Sequence, residues 1–184
     1  MVEVSADRQR LARRLRYLWT GELFNVFFQP AILLVIGRAS GQPLGPGAWV
    51  ALAVTCAILL QGAAYWWLKL RALRRDFPIP AAHVRPFKLF KVLNPALLAF
   101  LPLLLIVRTV IAGAPFASPV DALATVFYGL LALAEQINYH HRQLSYDNRA
   151  DLAWLWRHRR LKEPPLARDL RRTEGAARET EART

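Results

Sequence analysis

The sequence predicts an all-α integral membrane protein, a four-helix bundle with basic amphipathic extensions, and two observations support this fold class. The first is that 54% of the 184 residues are hydrophobic, a larger share than soluble domains usually have. The excess is concentrated in four apolar blocks, three of which reach the roughly 20 residues that a membrane-spanning helix requires. The blocks are 23–36, 48–68, 89–111 and 120–137.

The second observation is the position of the positive charges, which give the chain a net charge of +12. All 25 Lys and Arg residues except Arg38 and Arg108 lie before the first block, within 69–91, or after residue 137. Lys and Arg accumulate on the cytoplasmic side of membrane proteins, so this alternation predicts cytoplasmic termini and a cytoplasmic middle connection. The Arg-rich composition favours a bacterial inner membrane. With the charge explained in this way, no nucleic acid partner is predicted.

Local signals set the limits of the predicted helices. A loop rich in Gly and Pro at 38–47 ends the first span, which needs its flanks to cross the bilayer. The third span contains Pro95 and Pro102, which membrane helices tolerate as kinks. The predicted spans are 19–37, 48–71, 87–111 and 119–142.

The chain is predicted to divide into four parts. Residues 1–20 form a basic amphipathic helix, either lying on the inner leaflet or extending the first span. Residues 21–142 form the transmembrane domain. Residues 143–162 form an amphipathic cytoplasmic helix, and residues 163–184 form a largely disordered tail.

Two pairs of similar segments suggest an internal duplication. An amide–Pro–Ala sequence occurs at 29–31 in the first span and at 94–96 in the third. Gln followed by Tyr and large rings occurs at 61–67 in the second span and at 136–141 in the fourth. A tandem-duplicated helical hairpin would explain both pairs, and chance similarity between apolar segments is the alternative.

Polar residues within the spans gather toward the predicted cytoplasmic half. The other half is almost wholly apolar apart from Arg108, which is expected to reach the outer headgroups. Polar groups in hydrocarbon need partners, so the gathered residues should face the bundle interior. They could line a pocket for a small ligand, a lipid headgroup or a cation, bond the helices together, or sit at headgroup level. The candidate ligand-binding residues are Glu22, Asn25, Gln29, Gln61, Asn94, Glu135 and Asn138.

Motifs for catalysis and metal binding are missing from the sequence. Glu135 is followed three positions later by Asn138, whereas di-iron bundles use Glu-x-x-His. His140 and His141 are adjacent, so they point roughly 100° apart on a helix. Cys56 is the only cysteine, and no phosphate-binding glycine loop is present. No catalytic residue, metal site or cofactor is therefore predicted.

The sequence supports three hypotheses for function. The favoured one is a non-enzymatic multi-pass membrane protein that acts through protein or anionic-lipid contacts at its cytoplasmic face. The second is a small transporter or ligand-binding membrane protein that uses the polar cluster. The third is a membrane enzyme with Glu135 as proton carrier. The expected partners are the lipid bilayer and anionic headgroups, with a homodimer or a cytoplasmic protein partner left open.

Overall fold

The computed structural model describes residues 2–146 and 149–181, and all regular structure in these ranges is helical. The first four helices are each long and apolar enough to cross a membrane. The predicted all-α class with four membrane-spanning helices is therefore confirmed. The six helices of the described ranges are α1 (Val2–Ser40), α2 (Pro46–Arg75), α3 (Ala81–Ala112), α4 (Pro119–His140), α5 (Arg149–His158) and α6 (Pro165–Glu181).

Helix α2 is the centre of the bundle, because it packs against α1, α3 and α4. Small buried residues on α2, among them Ala48, Ala51 and Ala63, let its neighbours approach closely. Gly62 is the tightest of these positions, because the Tyr139 side chain of α4 occupies the space that a Cβ would need. The Tyr139 ring of α4 thus packs against a position of α2 that has no side chain.

Helices α1 and α3 expose broad apolar faces. Phe27 and Val35 on α1, and Val92, Ile106 and Val110 on α3, are each more than half exposed. Soluble monomers rarely expose apolar surface on this scale, whereas hydrocarbon chains can cover it without cost. The chain is a multi-pass membrane protein with α1 to α4 as its spans.

Side-chain pairings fix the direction of the helices. Arg8 and Val26 of α1 contact Leu73 and Cys56 of α2, so these two helices are antiparallel. Gln61 and Tyr65 of α2 contact Asn94 and Phe87 of α3, so this pair is antiparallel as well. We call the end of the bundle that holds the start of α1, the start of α3 and the C-termini of α2 and α4 the basic end. We call the opposite end, which holds the connections 41–45 and 113–118, the loop end.

The loop end contains a buried carboxylate that the sequence pattern did not single out. Asp121 is fully buried and accepts hydrogen bonds from the Ala117 amide at 2.8 Å and the Ala48 amide at 3.3 Å. Arg108 lies 3.9 Å from the same carboxylate and its side chain is only 19% exposed. The expectation that this half is almost wholly apolar apart from Arg108 is therefore wrong, whereas contact of Arg108 with the outer headgroups stays a prediction. The Arg108 guanidinium pairs with Asp121 where α2 and α4 begin.

Helix α1 continues without a break from Val2 to Ser40, so the basic N-terminal stretch extends the first span. Arg8 donates a hydrogen bond to the Leu73 carbonyl at 2.6 Å and forms an ion pair with Asp76 at 3.2 Å. These contacts hold the start of α1 beside the end of α2. Of the two arrangements left open by the sequence for residues 1–20, the structure has the extension.

The C-terminal part differs from the sequence-based expectation. The amphipathic helix expected over 143–162 is shorter, because α5 covers only Arg149–His158. The stretch 163–184, expected to be largely disordered, contains helix α6, while residues 182–184 lie outside the described ranges. Leu166 and Leu170 are 2% and 6% exposed, and α6 packs against α3 and α4. These two leucines lie one helical turn apart, and their burial holds this charged helix on the bundle. The four-part division of the chain stays a prediction.

Replacing Asp121 with Ala should destabilise the bundle strongly. The change removes the acceptor of two backbone amides and leaves the Arg108 guanidinium buried without a counter-charge. Removing one partner of a buried ion pair typically costs about 3–5 kcal/mol. The shift in unfolding temperature of the purified protein in detergent would measure the loss.

The matched control is Asp76→Ala, because the Asp76 side chain is 83% exposed and pairs with Arg8 at the surface. It should shift the unfolding temperature by much less. Similar shifts for the two variants would contradict the buried-pair assignment.

Candidate functional site

A cavity of about 650 Å³ lies at the basic end of the bundle. Its walls come from α1, α2, the start of α3, α4, α6 and the connections that follow α2, α4 and α5. The volume falls within the roughly 300–1,000 Å³ that is usual for sites of small molecules and cofactors. We call this space, with the side chains that line it, the basic-end cavity.

The α1 wall follows from the helical period of the sequence. Leu11, Leu15, Leu18 and Glu22 are spaced by three or four residues, so they lie along one face, and all four line the cavity. Leu15 is the most deeply buried of them at 6% exposed. The three leucines form an apolar stripe about two turns long, with Arg14 beside it, and the stripe ends in a carboxylate toward the bundle interior.

The charged residues of the cavity are mostly cationic. Two carboxylates line it, Glu22 and Asp169, and both have hydrogen-bond partners. A concave surface with an excess of positive charge attracts and concentrates anions. The cationic lining residues are Arg14, Lys69, Lys162, Arg168 and Arg172.

Lys69, Asp169 and Tyr65 form a compact group in the cavity. The Lys69 ammonium lies 2.7 Å from an Asp169 carboxylate oxygen, and the Tyr65 hydroxyl donates to that same oxygen at 2.9 Å. The ammonium also lies 5.8 Å from the centre of the Tyr65 ring. The Lys69 side chain is 30% exposed and that of Asp169 is 14% exposed. The group ties α6 to α2 and leaves the lysine partly accessible.

Glu22 and Asn138 are the two predicted site residues that line the cavity. The Tyr139 hydroxyl donates a hydrogen bond to Glu22 and so joins α4 to α1. The Asn138 side-chain oxygen accepts from the backbone amides of Leu144 at 2.8 Å and Ser145 at 3.2 Å. Asn138 therefore shapes the connection that follows α4.

Gln61 and Asn94 belong instead to a buried amide cluster with Gln136. Asn94 exchanges two hydrogen bonds with Gln61, at 3.0 and 2.8 Å, and donates a third to Gln136 at 2.8 Å. Asn94 is fully buried and Gln136 is 2% exposed. Each amide comes from a different helix, so the cluster joins α2, α3 and α4. It matches the interpretation in which polar residues bond the helices together.

The other three predicted residues lie apart from the cavity lining. The Asn25 amide donates to the Gly21 carbonyl of its own helix at 3.0 Å. Gln29 accepts from the Tyr128 hydroxyl through its backbone oxygen at 3.1 Å. Glu135 accepts from Asn138 at 3.3 Å. The seven predicted residues thus do not converge on one site, and their role in ligand binding stays a prediction.

Several residues of the cavity were not identified from the sequence. Lys69 reads as one of many basic residues at a span end, and Asp169 and Arg168 lie in a stretch expected to be disordered. The available signal was Asp169 itself, an acid in a basic segment, three residues after Leu166 and one before Leu170. Gln136 was also missed as a cluster member, although it shares residue type and depth with Gln61. In the described ranges, no group of three or more His, Cys, Asp or Glu could hold a metal ion.

Replacing Asn94 with Leu should weaken the bundle measurably. The change leaves the Gln61 and Gln136 amides without their shared partner. Interhelical hydrogen bonds in membranes are worth about 0.6 kcal/mol on average and up to about 1.7 kcal/mol, so a loss of about 1–2 kcal/mol is expected. The free energy of unfolding in mixed detergent micelles would measure it.

Asn25→Leu is the matched control, since its amide bonds only a carbonyl of its own helix among the described contacts. It should leave the free energy of unfolding nearly unchanged. A loss for Asn25→Leu as large as that for Asn94→Leu would argue against the amide cluster as a link between helices.

Comparison of the chain with protein-family models, with curated proteins and with solved structures finds no match. A function for the chain therefore has to be inferred from the contacts and charges of its own residues.

Proposed function

We propose that this multi-pass membrane protein is non-enzymatic and acts through binding of anionic lipid at the cytoplasmic face of the membrane. The observation that carries the proposal is the concentration of cationic side chains at the basic end. Among the described residues, every Lys and Arg other than Arg38 and Arg108 belongs to a segment at that end. Anionic headgroups attract such a surface, and the attraction falls off within a Debye length.

The positive-inside rule supports a cytoplasmic basic end. In this orientation both termini and the connection between α2 and α3 face the cytoplasm, and the loop end faces outward. We propose a bacterial inner membrane as the compartment, because the Arg-rich composition and the predicted topology fit it. The orientation brings the cationic residues of α1, α2 and α3 to the level of the headgroups.

Aromatic residues near the basic end support lipid contact in particular. Trp156 on α5 is 81% exposed. Trp154 stacks on His158 with ring centres 4.5 Å apart, and the Lys162 ammonium lies 5.0 Å from the Trp154 ring. Tryptophan is enriched where a protein meets the boundary between hydrocarbon and water. Exposed Trp beside basic residues therefore favours a membrane surface as the partner of α5.

The proton-carrier hypothesis has less support from the contacts. Glu135 lies outside the lining of the basic-end cavity and accepts a hydrogen bond from Asn138, which itself orders the following connection. A general acid or base needs a substrate position within hydrogen-bond reach. The described hydrogen bond of Glu135 is with Asn138 of the same helix, close to the C-terminal end of α4.

Removal of exposed charge from the basic end should reduce the preference for anionic lipid. The triple variant R10Q/R13Q/R16Q changes three exposed arginines of α1. The wild-type protein, extracted from vesicles of equal parts phosphatidylglycerol and phosphatidylcholine, should retain phosphatidylglycerol in severalfold excess. The variant should retain a mixture closer to that of the vesicle, because each charge near the surface adds to the attraction. Mass spectrometry of the retained lipids measures the ratio.

Arg38→Gln removes an exposed arginine at the loop end and is the control. It should leave the ratio at the wild-type value. Equal retention of the two lipids by the wild-type protein would sink the proposed function, and so would an undiminished excess in the triple variant.

A further inference from the structure

The basic-end cavity combines two chemistries in one space. One wall is the leucine face of α1, formed by Leu11, Leu15 and Leu18. Other helices of the lining supply Lys69 of α2 and the Arg168 and Arg172 side chains of α6. A molecule that satisfies both chemistries needs an acidic group joined to an apolar portion. Among anions at a membrane, a lipid with a phosphate headgroup has this composition.

Lys69 is a cavity cation that forms an ion pair with a carboxylate of the same lining. Its ammonium is held at 2.7 Å from Asp169 and remains 30% exposed. The distance is that of a charge-assisted hydrogen bond, which a phosphate oxygen can form equally well. Asp169 therefore occupies the position at Lys69 where the acidic group of a ligand would bind.

Helix α6 can stay on the bundle while the Asp169 side chain leaves Lys69. Leu166 and Leu170 bury their side chains in the packing against α3 and α4, and Lys88 forms an ion pair with Glu174 at 3.0 Å. The Asp169 carboxylate is held by separate contacts, with the Tyr65 hydroxyl at 2.9 Å and with the Lys69 ammonium at 2.7 Å. Exchange of the carboxylate for another anion thus needs a side-chain rotation and no release of the helix.

We propose that the basic-end cavity binds the phosphate headgroup of one anionic lipid, and that Asp169 of α6 competes with this headgroup for Lys69. The inference rests on the proposed function and deepens it, because it assigns a discrete site in addition to the general attraction of the basic end. The acyl portion lies along the leucine face of α1, and the headgroup lies among Lys69, Arg168 and Arg172.

Titration of the full chain with phosphatidylglycerol in detergent, followed by native mass spectrometry, tests the competition. Lys69→Gln should weaken the tightest binding event about fivefold, because one cation near the headgroup is lost. Asp169→Asn should strengthen it by a similar factor, because the competing charge is removed while the acceptor for Tyr65 remains. Opposite shifts for the two partners of one ion pair are not expected if the pair only holds the fold together.

Lys88→Gln and Glu174→Gln are the matched controls, since they break an ion pair that joins α6 to α3 rather than to α2 and that lies outside the cavity lining. Both should leave the affinity unchanged. If Asp169→Asn fails to fold, Tyr65→Phe serves in its place, because loss of the hydroxyl also frees Asp169 and should strengthen binding. Weaker or unchanged binding in both Asp169→Asn and Tyr65→Phe would overturn the competition.

Further arms of the titration identify the ligand. Phosphatidylcholine should not occupy the site, and inorganic phosphate in excess should not displace phosphatidylglycerol. Displacement by inorganic phosphate would overturn the lipid assignment in favour of a soluble anion. An overall preference for phosphatidylglycerol that none of the cavity variants alters would overturn the site and leave the proposed function standing. Absence of any preference for phosphatidylglycerol in the wild-type protein would overturn both the cavity site and the proposed function.

Discussion

Hydrocarbon offers no hydrogen bonds, and this constraint governs the arrangement of polar groups in the bundle. Each polar side chain at membrane depth must find a partner inside the protein. Asp121 meets two backbone amides and Arg108 at the loop end, and the Asn94 cluster joins three helices at greater distance from that end. Thr55 adds a link between these levels, since its hydroxyl contacts the Tyr128 carbonyl at 2.9 Å. The same constraint leaves most cations outside the hydrocarbon, at the basic end.

The central position of α2 brings together the helices that line the cavity. Its small residues hold α1 and α4 close, while Tyr65 and Lys69 near its C-terminal end contact α6. The α1 leucine face and residues of α6 then line one space. A surface that attracts anions by its overall charge thereby acquires a place where a single headgroup can meet several cations. The proposed general attraction and the proposed discrete site are two consequences of one charge distribution.

The sequence was sufficient for the fold class because hydrophobic length and charge alternation are properties of long segments. The four spans were predicted to within a few residues at most ends, and the larger differences lie at the starts of α1 and α3. Helix α6 was missed because its stability on the bundle depends on burial of Leu166 and Leu170 against α3 and α4. Such tertiary contacts have no strong signature in a charged segment with a low share of apolar residues. The hairpin duplication stays a prediction.

The candidate site was predicted only in part, for a similar reason. Depth in the membrane can be read from the sequence, so Gln61 and Asn94 were expected at one level, and they bond each other. Direction around a helix axis depends on which neighbours it packs against. Asn25 and Gln29 therefore bond elsewhere, while Lys69 and Asp169 meet across 100 residues of chain. Likewise, the buried role of Asp121 requires the start of α2 beside the start of α4, which no local pattern specifies.

We propose that the cationic end of the bundle faces the cytoplasm, and labelling of single cysteines can decide this orientation. Cys56→Ala gives a background without cysteine, and Phe77 and Ala114 are exposed residues at the basic end and the loop end. A membrane-impermeant maleimide should label Ala114→Cys in intact bacterial cells, and should label Phe77→Cys only after the membrane is permeabilised. Labelling of Phe77→Cys in intact cells, with Ala114→Cys protected until permeabilisation, would contradict the account.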